Sequence, residues 1–77
     1  MTNKITEQKT GELLRSHRMQ ALLMQKQLAK ILDTSRNYVS STETGKRTGS
    51  AQYLANFARV MDLDVTERAE LLDSVLN

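Results

Sequence analysis

The polar side chains between Arg36 and Thr44 have the types and the spacing needed to form hydrogen bonds with DNA base edges. At about 100° per residue, a helix over this stretch places Val39 and Thr42 on one side and only polar residues on the other. Arginine pairs with guanine O6 and N7, asparagine with adenine N6 and N7, and serine with either kind of base. The polar side consists of Arg36, Asn37, Ser40, Ser41 and Thr44. Such a helix can pack one face on the protein and read DNA with the other.

Two short helices joined by a tight turn would present this polar side. The first begins at Gln25, and its apolar side, at three- and four-residue spacing, consists of Leu28, Ala29 and Leu32. Asp33-Thr34-Ser35 then interrupts the pattern with residues that favour turns, and Asp33 tolerates left-handed geometry better than most residues. Ser35 is the predicted N-cap of the second helix, and Gly45 is the left-handed residue predicted to end it.

This stretch resembles the Cro/phage-repressor (XRE-type) helix-turn-helix family. The shared positions are Gln25-x-x-Leu28-Ala29 and Ser35-x-x-Tyr38-Val39-Ser40-x-x-Glu43-x-Gly45-Lys46-Arg47. Arg18 upstream and Ser50-x-x-x-Leu54-x-x-Phe57-Ala58-x-x-Met61 downstream extend the match over residues 11–65. The resemblance implies that residues 1–77 form one all-α domain, a compact five-helix lambda-repressor-like DNA-binding domain with its helix-turn-helix at residues 25–44.

The resemblance also implies roles for individual side chains. Arg18 and Glu43 would form a buried ion pair that braces the two ends of the motif. Arg36 and Asn37 would lead the reading of bases, because they lie nearest the N-terminal end of the reading helix, although Arg36 could instead bind phosphate. The expected base-reading residues are Arg36, Asn37, Ser40 and Ser41.

Phosphate contacts are expected on both sides of the reading helix. Gln25 offers an amide donor beside a positively charged helix end, as the matching residue does in the family. The loop of residues 45–49 offers cations and free backbone N–H groups. Lys26 could add a contact or serve only solubility. The expected phosphate-binding residues are Gln25, Lys26, Thr44, Lys46, Arg47 and Thr48.

Composition narrows the classes of function. With one His and no Cys in 77 residues, the chain offers no metal site, no cofactor site and no catalytic constellation, so we expect no enzyme. Residues 1–50 carry a net charge of +5 and residues 51–77 a net charge of −3. A basic front half suits a module that meets phosphates, although an ordinary solvated surface would also explain it. Neither a membrane span nor a secretory signal is evident, which predicts a cytoplasmic protein.

The ends of the first helix are less regular. Residues 1–9 are predicted to be a flexible arm or a loose helix start, with Thr10 as the N-cap. Leu22 stands where many relatives carry Gly, and Leu does not adopt positive φ cheaply, so the helix is expected to end differently or to run longer. Met24 lacks a side-chain oxygen, so the cap of the next helix must come from elsewhere. Tyr38 is expected to pack against the first helix rather than to stack on a base.

The C-terminal part predicts two more helices. Ser50 is the predicted cap of the fourth, whose apolar stripe consists of Leu54, Phe57, Ala58 and Met61. Asp64 and Glu67 resemble a capping box at the start of a fifth helix over residues 64–77. In relatives that region commonly builds a two-fold dimer contact, although packing within one chain would also use its apolar side. The expected dimer interface consists of Val65, Ala69, Leu72, Val75 and Leu76.

These observations favour a sequence-specific transcriptional regulator that binds double-stranded DNA as a homodimer. Two reading helices would enter successive major grooves about 34 Å apart and read an inverted repeat. A Cro-like phage repressor, a restriction-modification controller and an autoregulating antitoxin with a protein partner all fit. The other hypothesis is a module that binds only proteins. An apolar or acidic outward face on the helix of residues 36–44 would favour it, and this face is neither.

Overall fold

Five helices form the part of the chain that this computed structural model describes, which is the backbone of residues 2–76 and the side chains of residues 9–76. They are α1 (Thr2–Gln20), α2 (Gln25–Ile31), α3 (Arg36–Thr44), α4 (Ala51–Val60) and α5 (Val65–Leu76). No strand occurs among the described residues. The prediction of an all-α domain of five helices is therefore confirmed.

The core gathers where α1 packs against α3 and α5, while α2 packs against α3. Its largest fully buried side chains include Phe57, the single Phe of the chain. Phe57 is also the largest of them, and the other members of the core, apart from Tyr53, are aliphatic. The buried apolar residues are Leu14, Leu28, Ala29, Val39, Tyr53, Phe57, Ala58, Leu63 and Leu71.

Helix α1 begins earlier than predicted. No Gly or Pro interrupts the residues before Thr10, and their backbone is helical from Thr2 onward. Thr10 lies inside the helix, where its hydroxyl oxygen is 2.7 Å from Ser74 Oγ of α5. The prediction of Thr10 as an N-cap is therefore wrong. Residues 2–9 of the predicted arm, residues 1–9, lie on this helical backbone, whereas residue 1 and the side chains of residues 2–8 lie outside the described residues.

Helix α1 ends on a left-handed residue despite the absence of glycine. Leu22 has a φ of 60°. Its N–H donates to the carbonyl of Met19 at 2.9 Å, and Leu23 N–H donates to the carbonyl of Arg18 at 3.2 Å. These two bonds form a Schellman motif, the usual termination around a C-terminal glycine. The expectation that Leu22 would make the helix end differently is wrong.

Replacing Leu22 with glycine is expected to stabilise the protein. A left-handed backbone costs an L-residue about 1–2 kcal/mol, and most of this strain would be relieved in Leu22→Gly. The Leu22 side chain is 89% exposed, so its removal loses little burial. Urea unfolding should show a gain of about 1 kcal/mol. Leu22→Ala keeps the Cβ and the strain, so it should show no gain. A glycine variant no more stable than the alanine variant would contradict the strained turn.

Helices α4 and α5 begin with the predicted caps. Ser50 Oγ accepts a hydrogen bond from Tyr53 N–H at 3.1 Å. Asp64 Oδ1 accepts from Glu67 N–H at 2.7 Å, and Glu67 Oε1 accepts from Asp64 N–H at 3.0 Å. This reciprocal pair satisfies two N–H groups that the helix leaves without partners. Both predictions are confirmed.

Candidate nucleic-acid interface

Helix α2 and the turn after it determine where α3, the helix with the polar outward side, begins. Met24 offers no capping oxygen, and the Gln27 side chain accepts from Met24 N–H at 2.8 Å instead. Asp33 adopts a φ of 56°, and Thr34 N–H donates to the carbonyl of Ala29 at 2.9 Å. The predicted turn therefore forms, with Asp33 as its left-handed residue. These bonds set the direction in which α3 leaves the turn.

Helix α3 has the predicted ends and the predicted buried side. Ser35 Oγ accepts from Tyr38 N–H at 3.0 Å, and Gly45 ends the helix with a φ of 81°. Val39 is fully buried, and Thr42 is 2% exposed. The Thr42 hydroxyl donates to the carbonyl of Val39 at 2.8 Å, so this polar group is satisfied inside the core. The inward side of α3 is thus fixed by packing.

The outward side of α3 presents the predicted base-reading residues. Arg36 and Asn37 are exposed at the first turn, and Ser40 and Ser41 are half-buried one turn later. Thr44 is exposed, and its hydroxyl donates to the carbonyl of Ser41 at 3.3 Å. Among the residues whose side chains are described, none forms a hydrogen bond or ion pair with the side chains of Arg36 or Asn37. Their hydrogen-bonding groups are available to a ligand.

A buried ion pair fastens α3 to α1. Arg18 Nε lies 2.6 Å from Glu43 Oε2, and Arg18 Nη2 donates to Glu43 Oε1 at 3.1 Å. The two side chains are 11% and 2% exposed. Arg18 Nη1 also donates to the carbonyl of Leu23 at 2.7 Å, which ties the turn after α1 to the same group. The structure therefore contains the pair that the resemblance implies, in a bidentate form.

Gln25 has a contact that sequence reasoning missed. Its Nε2 donates to Glu43 Oε1 at 3.1 Å, and the side chain is half-buried. One N–H of the amide is therefore occupied inside the protein, while the residue still begins α2 at its positive end. The role of Gln25 in phosphate binding stays a prediction. The signal for the missed contact is the Glu43 carboxylate, which has acceptor positions beyond those that one guanidinium fills.

The loop after α3 folds back along that helix. Arg47 N–H donates to the carbonyl of Ser41 at 3.2 Å, and the Arg47 guanidinium carbon lies 5.4 Å from the centroid of the Tyr38 ring. The loop side chains expected to bind phosphate are all exposed, namely Lys46, Arg47 and Thr48. Lys26, at the start of α2, is exposed as well. Cations therefore lie on both sides of the polar face of α3, which consists of Arg36, Asn37, Ser40, Ser41 and Thr44.

Tyr38 packs differently from the prediction. Its ring meets Tyr53 of α4 edge-on, with centroids 4.9 Å apart and an interplanar angle of 79°. Its hydroxyl oxygen accepts from Ser50 N–H at 3.0 Å. The expectation that Tyr38 packs against the first helix is therefore corrected, because α4 supplies the aromatic edge of Tyr53 and its N-cap residue, Ser50, supplies the donor. Burial raises the pKa of the Tyr53 phenol above its ordinary value, so the ring beneath Tyr38 stays neutral.

Helix α5 turns a different side inward than its apolar spacing predicts. Leu71 and Ser74 are its buried residues. Val65, Leu72 and Leu76 are 85%, 57% and 72% exposed. Ala69 is also exposed, and Val75 is half-buried. The side chains expected at a dimer interface are thus accessible on the single chain.

A family model described as a helix-turn-helix domain matches residues 10–71, which include the whole of α2, α3 and α4. No curated protein matches the chain significantly. Within residues 2–76, no helix is both long enough and apolar enough to cross a membrane. The described side chains also contain no cluster of three or more potential metal ligands among His, Cys, Asp and Glu.

Proposed function

The chain belongs to the helix-turn-helix domain family, and on that premise we propose that it regulates transcription by binding specific sites in double-stranded DNA. In its finer form the proposal is a Cro-like phage repressor of the XRE type that acts as a homodimer on an inverted-repeat operator. The proposed activity is binding, without catalysis and without a cofactor.

The observation that carries the proposal is the outward face of α3. Its opposite side is held by Val39 and Thr42 in the core, so the helix presents one fixed set of polar groups. Arg36 and Asn37 stand at the first turn, the part of a reading helix that meets base edges when it lies in the major groove. Lys46 and Arg47 follow that helix and can reach the sugar-phosphate backbone. The arrangement suits DNA better than an apolar protein surface.

Paired substitutions would test base reading against phosphate binding. Sites would first be selected from random duplexes, which yields the half-site and its spacing. Asn37→Ala is expected to weaken binding to the selected duplex by about 1–3 kcal/mol and to relax the preference for a particular base at one position, because a bidentate contact is lost. Lys46→Ala is expected to weaken binding to the selected and the scrambled duplex alike. It should also lower by about one the salt slope, which is the slope of the logarithm of the binding constant against the logarithm of the salt concentration. Equal losses on both duplexes for both variants would contradict the assignment of Asn37.

The homodimer is proposed from the surface of α4 and α5. An apolar groove of about 440 Å³ lies between these helices, lined in part by Leu54, Ala55, Leu72, Val75 and Leu76. Exposed leucines beside such a groove suit a second copy of the chain, because a two-fold axis would let each copy fill the groove of the other. The groove is lined mainly by α4 and α5, whereas the polar face belongs to α3. Val65 and Ala69 lie at the start of α5, outside the groove lining.

Leu72→Glu is expected to convert the dimer to a monomer. A carboxylate in an apolar contact is desolvated without a partner, which disfavours association. Sedimentation equilibrium should show the monomer mass, and binding to the full inverted repeat should fall while binding to a half-site is retained. Met19→Glu is the matched control, because Met19 on α1 is 53% exposed and Leu72 is 57% exposed. A Leu72→Glu variant that stays dimeric would remove α5 from the proposed interface.

The same groove supports an alternative in which the partner is another protein, as in an autoregulating antitoxin. A restriction-modification controller would use the homodimer, like the phage repressor. The homodimer alone should bind the operator at full strength if the protein is a phage repressor or a restriction-modification controller. A requirement for a second protein in the complex would favour the antitoxin.

A further inference from the structure

The ring of Tyr38 is held on two sides. Tyr53 meets it edge-on with the centroids 4.9 Å apart, and Ser50 N–H donates to its hydroxyl oxygen at 3.0 Å. Tyr53 is itself 7% exposed and belongs to the core. The ring is therefore a fixed platform at the junction of α3, the following loop and α4.

Arg47 lies against the free face of this platform. Its guanidinium carbon is 5.4 Å from the ring centroid, a cation–π distance, although the residue as a whole is exposed. Its backbone N–H donates to the carbonyl of Ser41, so the main chain is anchored as well. A guanidinium that lies over a ring keeps its in-plane N–H groups free, and these match a pair of phosphate oxygens.

The stacked pair borders the reading face. Tyr38 and Arg47 line one recess of about 180 Å³ together with Thr34, Ser35, Asn37 and Ser41. Arg47 follows the C-terminal end of α3 in the chain, but the loop folds back so that its guanidinium lies over Tyr38, in the same recess as Asn37. A guanidinium held at the border of the polar face of α3, rather than on that face, would meet the sugar-phosphate backbone beside the groove that α3 enters.

We propose that Tyr38 is a positioning residue, which holds the Arg47 guanidinium ready for bidentate contact with a DNA phosphate. The inference rests on the proposed function. Ordering a long, mobile side chain on binding costs affinity, and a side chain that is already held in place avoids much of that cost. Tyr38 acts through Arg47 and does not itself contact DNA.

The test is a double-mutant cycle on DNA binding. Tyr38→Leu removes the ring, Tyr38→Phe keeps the ring and removes the hydroxyl, and Arg47→Ala removes the cation. Each variant, and the combination of Tyr38→Leu with Arg47→Ala, would be titrated with the selected and the scrambled duplex over a range of salt concentrations. Thermal melts would set a temperature at which every variant is folded.

We expect Tyr38→Leu to weaken binding to both duplexes by about three- to tenfold, because one long side chain must then be ordered when DNA binds. Tyr38→Phe should bind within about twofold of the wild type, since a phenyl face also attracts a cation. Arg47→Ala should lower the salt slope by about one, the signature of one lost phosphate contact. In the Arg47→Ala background, Tyr38→Leu should have no further effect.

Three results would overturn the inference. Additive losses in the double variant would show that Tyr38 acts independently of Arg47. Equal losses in Tyr38→Phe and Tyr38→Leu would assign the effect to the hydroxyl bond with Ser50. A loss confined to the selected duplex would make Arg47 a base reader.

The proposed function can fail separately. If the wild type does not distinguish the duplexes and Asn37→Ala changes nothing, sequence-specific binding fails. In that case the Arg47 side-chain Nε–H resonance of the free protein still reports the stack, because Tyr38→Leu should remove its ring-current shift. An unchanged resonance would overturn the inference without any DNA.

Discussion

Glu43→Ala is expected to leave the protein largely unfolded. Glu43 lies in the interior and does not belong to the polar face of α3, so the effect is on stability. The substitution removes the carboxylate that binds Arg18 through two oxygens and leaves a buried guanidinium without its counter-charge. Removing one partner of a buried ion pair costs about 3–5 kcal/mol. Domains have a free energy of unfolding of about 5–15 kcal/mol, and small domains lie near the lower limit. The loss is therefore comparable with the whole stability.

Circular dichroism during thermal and urea unfolding would measure this loss. Glu12→Ala, on the exposed side of α1, is the matched control and should stay within about 0.5 kcal/mol of the wild type. Replacing both partners, as Arg18→Met with Glu43→Leu, should recover much of the stability, because apolar residues of similar volume remove the cost of burying charge. An unchanged melting temperature for Glu43→Ala would refute the importance of the pair.

The ion pair also connects stability to the candidate site. Glu43 Oε1 accepts hydrogen bonds from both Arg18 and Gln25, so a single carboxylate fixes α1, the start of α2 and the end of α3. Arg18 in turn binds the carbonyl of Leu23. The angle between the two helices of the motif thus depends on a group that does not reach the surface. Substitutions at Glu43 should alter DNA binding only through the fold.

The features that could be predicted from the sequence are those that a few consecutive residues determine. Ser35 and Ser50 accept from the N–H group three residues later, and Gly45 takes the left-handed conformation that glycine adopts without strain. The reciprocal bonds of Asp64 and Glu67 also span three residues. The Arg18–Glu43 pair, by contrast, joins residues 25 apart and was implied only by the family resemblance.

The features that could not be predicted depend on contacts between distant helices. Leu22 accepts an unfavourable φ because the next residue, Leu23, packs against the core and its carbonyl binds Arg18. Tertiary contacts thus overcome a local preference. On α5, Ser74 occupies a buried position because its hydroxyl meets Thr10 Oγ1 and donates to the carbonyl of Leu71. A pattern of apolar residues does not reveal a buried hydroxyl.

Gly11→Ala is expected to destabilise the protein, although alanine normally favours a helix over glycine by about 0.5–1 kcal/mol. Gly11 is buried where α1 crosses the end of α3. A Cβ there would lie 2.7 Å from the carbonyl oxygen of Thr42 and closer still to that of Glu43. These are backbone atoms of a packed helix, so they cannot rotate away as a side chain would.

The free energy of unfolding of Gly11→Ala would rise if helix propensity dominated and fall if close packing dominated. Overpacking a core costs about 1–3 kcal/mol, which exceeds the gain in propensity, so urea unfolding should show a net loss. Ser16→Ala is the matched control, because Ser16 lies on the exposed side of the same helix, where its hydrogen bond from Gln20 Nε2 at 3.1 Å is open to solvent and contributes little, so helix propensity dominates. A gain in stability for both variants would mean that α1 and α3 do not approach so closely. A loss for Gly11→Ala alone would show that α1 packs closely against the end of α3 because Gly11 has no side chain.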